Sequence, residues 1–259
     1  MLKAEIIIPT LLRDGLWNTV VNTKTQNTKI PFSITVGYDP EVNEYVSRDR
    51  AIKRTDADII VFVDDDAYLE PNTLNLILEP FNDSKIMVTD GGIKGNVFGN
   101  GNVVFNNDHL GIGTALAVRR QAYLSVGGFK TKEWGEHNEA GWRMDTALLY
   151  DIIRKYGEES YVHVKDYIVV HPKPMTSTWN PYIEVKFALE YTDFIKKYIL
   201  HLDTRIGYIL INIDTLKKAI ETLSEKEFNE ICRKHNAGLI VPDTIEELKK
   251  VMASKNKDF

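Results

Sequence analysis

Apolar residues gather in short runs separated by polar, turn-forming stretches. Glu5-Ile6-Ile7-Ile8-Pro9-Thr10 reads as a first strand, stopped by Pro9. A helix is expected around 15–25, and Phe32–Tyr38 reads as a second strand ending at Asp39-Pro40. Val42, Tyr45, Val46, Asp49 and Ile52 share one mostly apolar helical face, which predicts a helix over 41–55. Ile59-Ile60-Val61-Phe62-Val63 is an unbroken run of β-branched and aromatic residues, the pattern of a strand buried on both faces. Pro71 at an early helical position predicts a helix over 71–81, and 85–89 reads as another short strand. Strands alternating with helices over the first 90 residues predict an α/β fold with a parallel, doubly wound sheet.

The pattern then changes. Residues 91–113 are rich in Gly and Asn and carry no helical period. Asn96-Val97-Phe98 and Val103-Val104-Phe105 flank Gly99-Asn100-Gly101-Asn102, which predicts a small antiparallel hairpin. Leu116–Val118 leads into a helix near 119–126, and 131–141 is polar and irregular. A helix is expected over 144–156, then short strands at Tyr161–Val164 and Tyr167–Val170, the second running into His171-Pro172. From Pro181 the chain reads mostly as helix: a broad apolar face over 182–200, then shorter helices at 215–223 and 225–234. A small strand at Leu239–Pro242 and a last helix capped by Thr244 complete it. The expected division is a domain over 1–180 followed by a helical C-terminal extension over 181–259.

Composition narrows the function classes. The 259 residues are 43% hydrophobic and 27% charged, ordinary for a globular protein. A net charge of −5 gives no basic character to suggest nucleic acid. A single cysteine, Cys232, excludes an internal disulfide and fits a reducing compartment. No segment reaches the ~18 uninterrupted apolar residues of a membrane span, and the N-terminus lacks the apolar region of a signal peptide. A cytoplasmic location is expected, with peripheral membrane contact as an option.

The chemistry starts where the central run ends. Val63 is followed by Asp64-Asp65-Asp66, three carboxylates at the carboxyl end of a buried strand, where ligands of open α/β sheets bind. Adjacent acids repel one another and call for a cation, and a hard divalent metal prefers oxygen ligands. Asp64 and Asp66 are expected to point together, with Asp65 elsewhere, if the backbone stays extended. The plainer alternative is an acidic N-cap for the helix that follows Glu70-Pro71-Asn72.

Further motifs stand in order around this cluster. They are Ile8-Pro9-Thr10, Asp39 after the second strand, and Ser47-Arg48-Asp49-Arg50-Ala51-Ile52. Beyond the three acids come Gly113–Arg120, then Val126-Gly127-Gly128-Phe129, Trp142-Arg143-Met144-Asp145 and Val169-Val170-His171-Pro172. Together they resemble the family-2-like glycosyltransferases of the GT-A fold over roughly residues 4–175. The chain departs from that family's pattern at Asp49, where Asn is usual, and at Met144, where an acid is usual.

The resemblance implies a nucleotide-binding half over about 1–90 and an acceptor half over about 91–180. It implies a sugar moved from a nucleotide diphosphate, with a UDP-sugar favoured, to an acceptor hydroxyl with inversion. Pro9, Thr10, Asp39, Arg48, Asp64 and Asp65 would bind the donor. Asp66, Asp64 and His171 would hold manganese or magnesium. Asp145 is the candidate general base, or a cap for its helix, with Glu136 and Glu139 as rivals. Arg119, Arg120 and Lys94 could approach phosphates, and Trp134 or Trp142 could stack on a sugar. The remaining histidines, His109 and His163 among them, read as structural or solvent-facing. Acceptors would be glycans, lipid-linked molecules or proteins. The C-terminal helices could pack, form a homo-oligomer or touch a membrane. Competing readings are a haloacid-dehalogenase-like phosphatase, a nucleotidyltransferase, and a nucleotide- or sugar-binding module without turnover.

Overall fold

A computed structural model describes residues 1–96, 103–134, 143–172, 180–200, 202, 204–235 and 240–255. The chain divides into two compact units, Met1–Thr176 and Ser177–Phe259.

The first unit is built on an eight-stranded sheet. Its strands are β1 (Ala4–Thr10), β2 (Phe32–Tyr38), β3 (Ile59–Phe62), β4 (Tyr68–Leu69), β5 (Val88–Gly95), β6 (Val103–Phe105), β7 (Leu116–Arg119) and β8 (Tyr161–His171). The order is β2-β1-β3-β7-β5-β8-β4, with β6 on β5. β1 pairs in parallel with both β2 and β3, and β5 with β8, so strand carboxyl ends gather on one edge. β7 enters antiparallel between β3 and β5. Every residue of β1 and β3 is buried, as the unbroken apolar runs require. β1 does not stop at Pro9 but continues to Thr10, paired with β2.

The helices of this unit are α1 (Leu16–Lys24), α2 (Glu44–Arg54), α3 (Thr73–Leu78), α4 (Arg120–Ser125), α5 (Thr131–Trp134) and α6 (Met144–Tyr156). α2 starts at Asn43, whose side chain accepts from the N–H groups of Tyr45 and Val46. Its inner face buries Tyr45, Val46, Arg48, Ala51 and Ile52. α3 is preceded by Asn72 in a left-handed conformation and continues into a 3₁₀ turn over Glu79–Asn82. None of the three acids caps it, which removes the plainer alternative.

Two strands differ from the expectation. β5 runs straight through Gly91-Gly92, where composition alone reads as loop. A Cβ at Gly91 would lie 2.3 Å from the Tyr167 carbonyl oxygen, so glycine lets the neighbouring strand approach. β8 is one strand rather than two, with an irregularity opposite Asp90–Gly92 that absorbs the polar residues between its halves. β6 pairs antiparallel with Ile93–Gly95. Residues 97–102, on which the rest of the expected hairpin falls, lie outside the described residues.

The second unit contains α7 (Pro181–Glu190), α8 (Thr192–Phe194), a π-helical turn Ile195–Ile199, α9 (Thr204–Ile211), α10 (Ile213–Thr222), α11 (Glu225–His235) and α12 (Pro242–Lys255). Asn180 caps α7 and donates to Glu225 Oε1 at 2.8 Å, which ties α7 to α11. Phe187, Leu216, Phe228, Cys232 and Leu248 fill the interior. The long helix expected over 182–200 is broken at Tyr191, whose ring is fully buried 5.2 Å from that of Phe187. α12 starts at Pro242, so Thr244 is buried in its first turn rather than capping it, and Ile240-Val241 form no strand. Leu239 lies outside the described residues. Among those residues no helix is long and apolar enough to cross a membrane.

Candidate active site

The three acids follow β3 at the carboxyl edge of the sheet. The chain does not stay extended there: it turns, with the Ala67 N–H on the Asp64 carbonyl at 3.1 Å. Thr19 of α1 secures the turn by donating to the carbonyls of Asp65, at 3.0 Å, and Ala67, at 2.9 Å. The turn breaks the strict alternation of an extended strand, although Asp64 and Asp66 still meet at His171. Asp65 does not point away: its carboxylate accepts from Thr10 Oγ1 at 2.6 Å, and Asp65 and Asp66 each lie 3.7 Å from the Arg13 guanidinium.

Asp64 faces the other way, toward α2. Arg48 Nη2 donates to its Oδ1 at 2.6 Å. The Arg48 side chain is only 1% exposed, and its guanidinium lies over the rings of Tyr45 and Phe62 at 5.0 and 5.4 Å. Burial works against the charge of Arg48, but Glu44 and Asp64 outweigh it, so the group stays protonated. Its Nε and Nη1 have no hydrogen-bond acceptor among the described residues. Glu44, one helical turn earlier, stands 3.8 Å from Nη1. Burial, reinforced by Asp64 and Asp145, pushes the Glu44 carboxyl up to about 7 against the pull of Arg48. Its side chain is 44% exposed, and the water reaching it screens these neighbours and limits the rise.

His171 ends β8 beside the acids, its Nε2 3.2 Å from Asp66 Oδ1 and 3.8 Å from Asp64 Oδ2. Two carboxylates and an imidazole form a donor set that suits manganese or magnesium. Among the described residues no three such groups are spaced as a ready-made cage. The charge balance nevertheless fits a cation. Glu44, Asp64, Asp65, Asp66 and Asp145 gather here, and Arg13, Arg48 and His171 form ion pairs with members of this acidic group.

Asp145 lies in the first turn of α6. Its Oδ2 accepts from the Gly113 N–H at 2.8 Å and its Oδ1 from the Thr146 N–H at 2.8 Å. Burial raises its pKa, and the two backbone donors moderate the rise. A Cβ on Gly113 would sit 3.1 Å from Arg48 Nη1 and 3.2 Å from both Asp145 Oδ2 and Tyr45 Oη, so these three groups ring one point. Thr114 Oγ1 accepts from the Asp64 N–H at 2.9 Å, which joins the same loop to the acid turn.

That loop is held from beneath by a buried network. Asp90, fully buried in β5, accepts from Gly111 N–H at 3.1 Å and from Tyr161 Oη at 2.7 Å, and pairs with His163 Nδ1 at 2.7 Å. Tyr161 Oη in turn accepts from the His109 N–H at 2.7 Å. Burial opposes a charge on His163, but Asp90 outweighs it and raises the pKa.

The other sequence candidates fall elsewhere. Asp39 is paired with Arg50 of α2. Pro9 is buried in β1 opposite Gly37. Arg119 and Arg120 stand at the opposite end of β3, with Arg119 in register with Ile59. Lys94 is exposed on β5, opposite Val104 and Val170, and Trp134 is 2% exposed in the core. Glu136, Glu139 and Trp142 lie outside the described residues. Sequence reasoning missed Arg13, Glu44 and Asp90. Glu44 and Arg48 do stand at the i,i+4 spacing of a helical ion pair, and Arg13 is the basic residue nearest Thr10 in sequence.

Comparison with known proteins gives the fold a precedent. No protein-family model matches the chain, and no curated protein is similar to it in sequence. Among solved structures it is similar to GalNAc-T7, crystallised with UDP, GalNAc and Mn2+, at TM-score 0.57 and 11% identity over 99% of this chain. It is also similar to S. aureus TarS, at TM-score 0.54 and 14% identity over 95% of this chain. The chain spans 57% and 50% of the length of those two structures. The chain has the GT-A type of α/β fold that its motifs predict.

Proposed function

We propose that this chain transfers a sugar from a nucleotide diphosphate, with a UDP-sugar favoured, to an acceptor hydroxyl with inversion at the anomeric carbon. The carrying observation is the acid turn Asp64-Asp65-Asp66, set between Arg13, Arg48 and His171 at the carboxyl edge of a GT-A sheet. The UDP and Mn2+ with which GalNAc-T7 was crystallised agree with this reading.

In this scheme Asp64, Asp66 and His171 hold the divalent ion, which when bound neutralises charge building on the departing diphosphate. Arg48 orients Asp64, and its buried Nε and Nη1, which have no hydrogen-bond acceptor among the described residues, would be available to a donor oxygen. Thr10 fixes Asp65. Asp145 takes the acceptor's proton at whichever carboxylate oxygen yields its backbone bond, and the burial that raises its pKa strengthens it as a base.

The test is a thermal-shift series with nucleoside diphosphates, with and without Mn2+, on wild type and Asp66→Ala. One nucleotide should stabilise wild type by an amount that grows with concentration, requires metal and vanishes in Asp66→Ala. Turnover of the matching sugar nucleotide follows. No stabilisation by any nucleotide sinks the proposal.

A further inference from the structure

We infer that Arg13 is the exchangeable counter-ion of the acid turn: a divalent cation displaces it from Asp65 and Asp66, and the freed guanidinium binds the diphosphate of the donor. This rests on the donor reading above and adds a residue and an order of events to it.

The two arginines of the site are held differently. Arg48 is 1% exposed and bonded to Asp64 at 2.6 Å, whereas Arg13 is 42% exposed and stands 3.7 Å from each of two carboxylates, beyond hydrogen-bond range. The root of Arg13 is nonetheless firmly placed. Leu12 adopts a left-handed conformation at φ 61°, and its N–H bonds Thr10 Oγ1 at 2.8 Å, the same hydroxyl that donates to Asp65. Leu16 N–H closes the loop on the Arg13 carbonyl at 3.1 Å. At Gly15 a Cβ would come within 3.1 Å of the Asp65 carbonyl, so the loop lies directly on the acid turn. A fixed base carrying a loosely held, partly solvated head is suited to exchange partners.

Charge supplies the direction. Asp65 and Asp66 are each 4% exposed and share the one Arg13 guanidinium, with His171 also beside Asp66, so two carboxylates are crowded together in a poorly solvated place. A divalent cation held by Asp64, Asp66 and His171 would offset this charge and repel the guanidinium. The diphosphate then offers Arg13 oxygens that match its planar donor geometry. Metal alone must compete with Arg13, while metal and diphosphate together each favour the other's binding.

Calorimetric titration of wild type, Arg13→Gln and Arg13→Lys decides this, using Mn2+ alone and then UDP at saturating Mn2+. Arg13→Gln should bind Mn2+ alone about tenfold more tightly and UDP about tenfold more weakly. Arg13→Lys should fall between on UDP. Ligand-free melting temperatures within about 2 °C of wild type establish that the fold is intact. Both affinities moving the same way, or neither moving, overturns the inference, as does a wild type that takes up no Mn2+. If wild type binds Mn2+ but no nucleoside diphosphate, the donor reading fails by itself. The Mn2+ titration still decides the counter-ion: equal affinities in wild type and Arg13→Gln overturn it.

Discussion

The two ends of β3 make an instructive pair. At its amino end, Asp58 accepts from the Lys3 N–H at 2.9 Å. Arg119 donates to the carbonyls of Ile86, Phe81 and Asp83, and Arg120 to that of Ile52. A cleft of about 510 Å³ opens there, lined by Asp58, Arg119, Arg120, Gln121, Leu124 and Ser125, large enough by volume for a small ligand. Its charged groups already have partners within the fold. At the carboxyl end acids outnumber the arginines paired with them, and Arg48 holds two buried donors with no acceptor among the described residues. On the function proposed above, unmatched charge rather than open volume marks the end of β3 that would bind the donor.

Four experiments would break or sharpen that contrast. Arg48→Ala should have the largest effect. It removes the buried partner of Asp64, and unfolding by denaturant should show a loss of about 3–5 kcal/mol. A loss under about 1 kcal/mol would mean that water already screens this pair. Asp145→Asn keeps an acceptor for one backbone N–H, so it should fold and retain the UDP-dependent thermal shift while sugar transfer falls roughly 10²-fold. Transfer at the wild-type rate would remove Asp145 as the base.

Arg119→Ala tests the amino end. Losing its bonds to three carbonyls should cost about 2 kcal/mol of stability, with nucleotide binding unchanged. Weaker nucleotide binding in this variant would erase the contrast between the ends. Glu44→Gln should give the smallest change, one read in its pH dependence. The folded-state pKa of Glu44 is raised from 4.5 to about 7, so the native protein holds a proton that the unfolded chain releases in that window. Wild-type stability therefore falls as pH rises from 4.5 to 7, and Glu44→Gln should lack that portion of the fall. Parallel melting-temperature profiles for the two proteins would show that solvent cancels the shift.

Much of this architecture is legible in local sequence, for identifiable reasons. The Ile59–Val63 run announces a strand buried on both faces because both of its faces are covered. α6 is expected over 144–156 and observed as Met144–Tyr156, its end set by Gly157. β7 is harder to read: Leu116–Val118 looks like a lead into helix, and its place between β3 and β5 depends on partners tens of residues away. β5 passes through Gly91-Gly92 for a reason that lies in Tyr167, on another strand. The ordered motifs place the acids, but not which cation each acid meets. Arg13 reaches Asp65 and Asp66 only because the chain turns after β3, and His163 meets Asp90 only through the pairing of β5 with β8.

The stretch from His109 to Thr114 has a further consequence. It is fastened at His109 to Tyr161, at Leu110 to Thr146, at Gly111 to Asp90, at Gly113 to Asp145 and at Thr114 to Asp64. Nearly every residue is a fixing point, so its length is as constrained as its composition. One inserted residue would put at least one of those bonds out of step. Elsewhere an exposed connection can lengthen at little cost; this one works as a ruler, setting the interval between the base candidate and the acid turn.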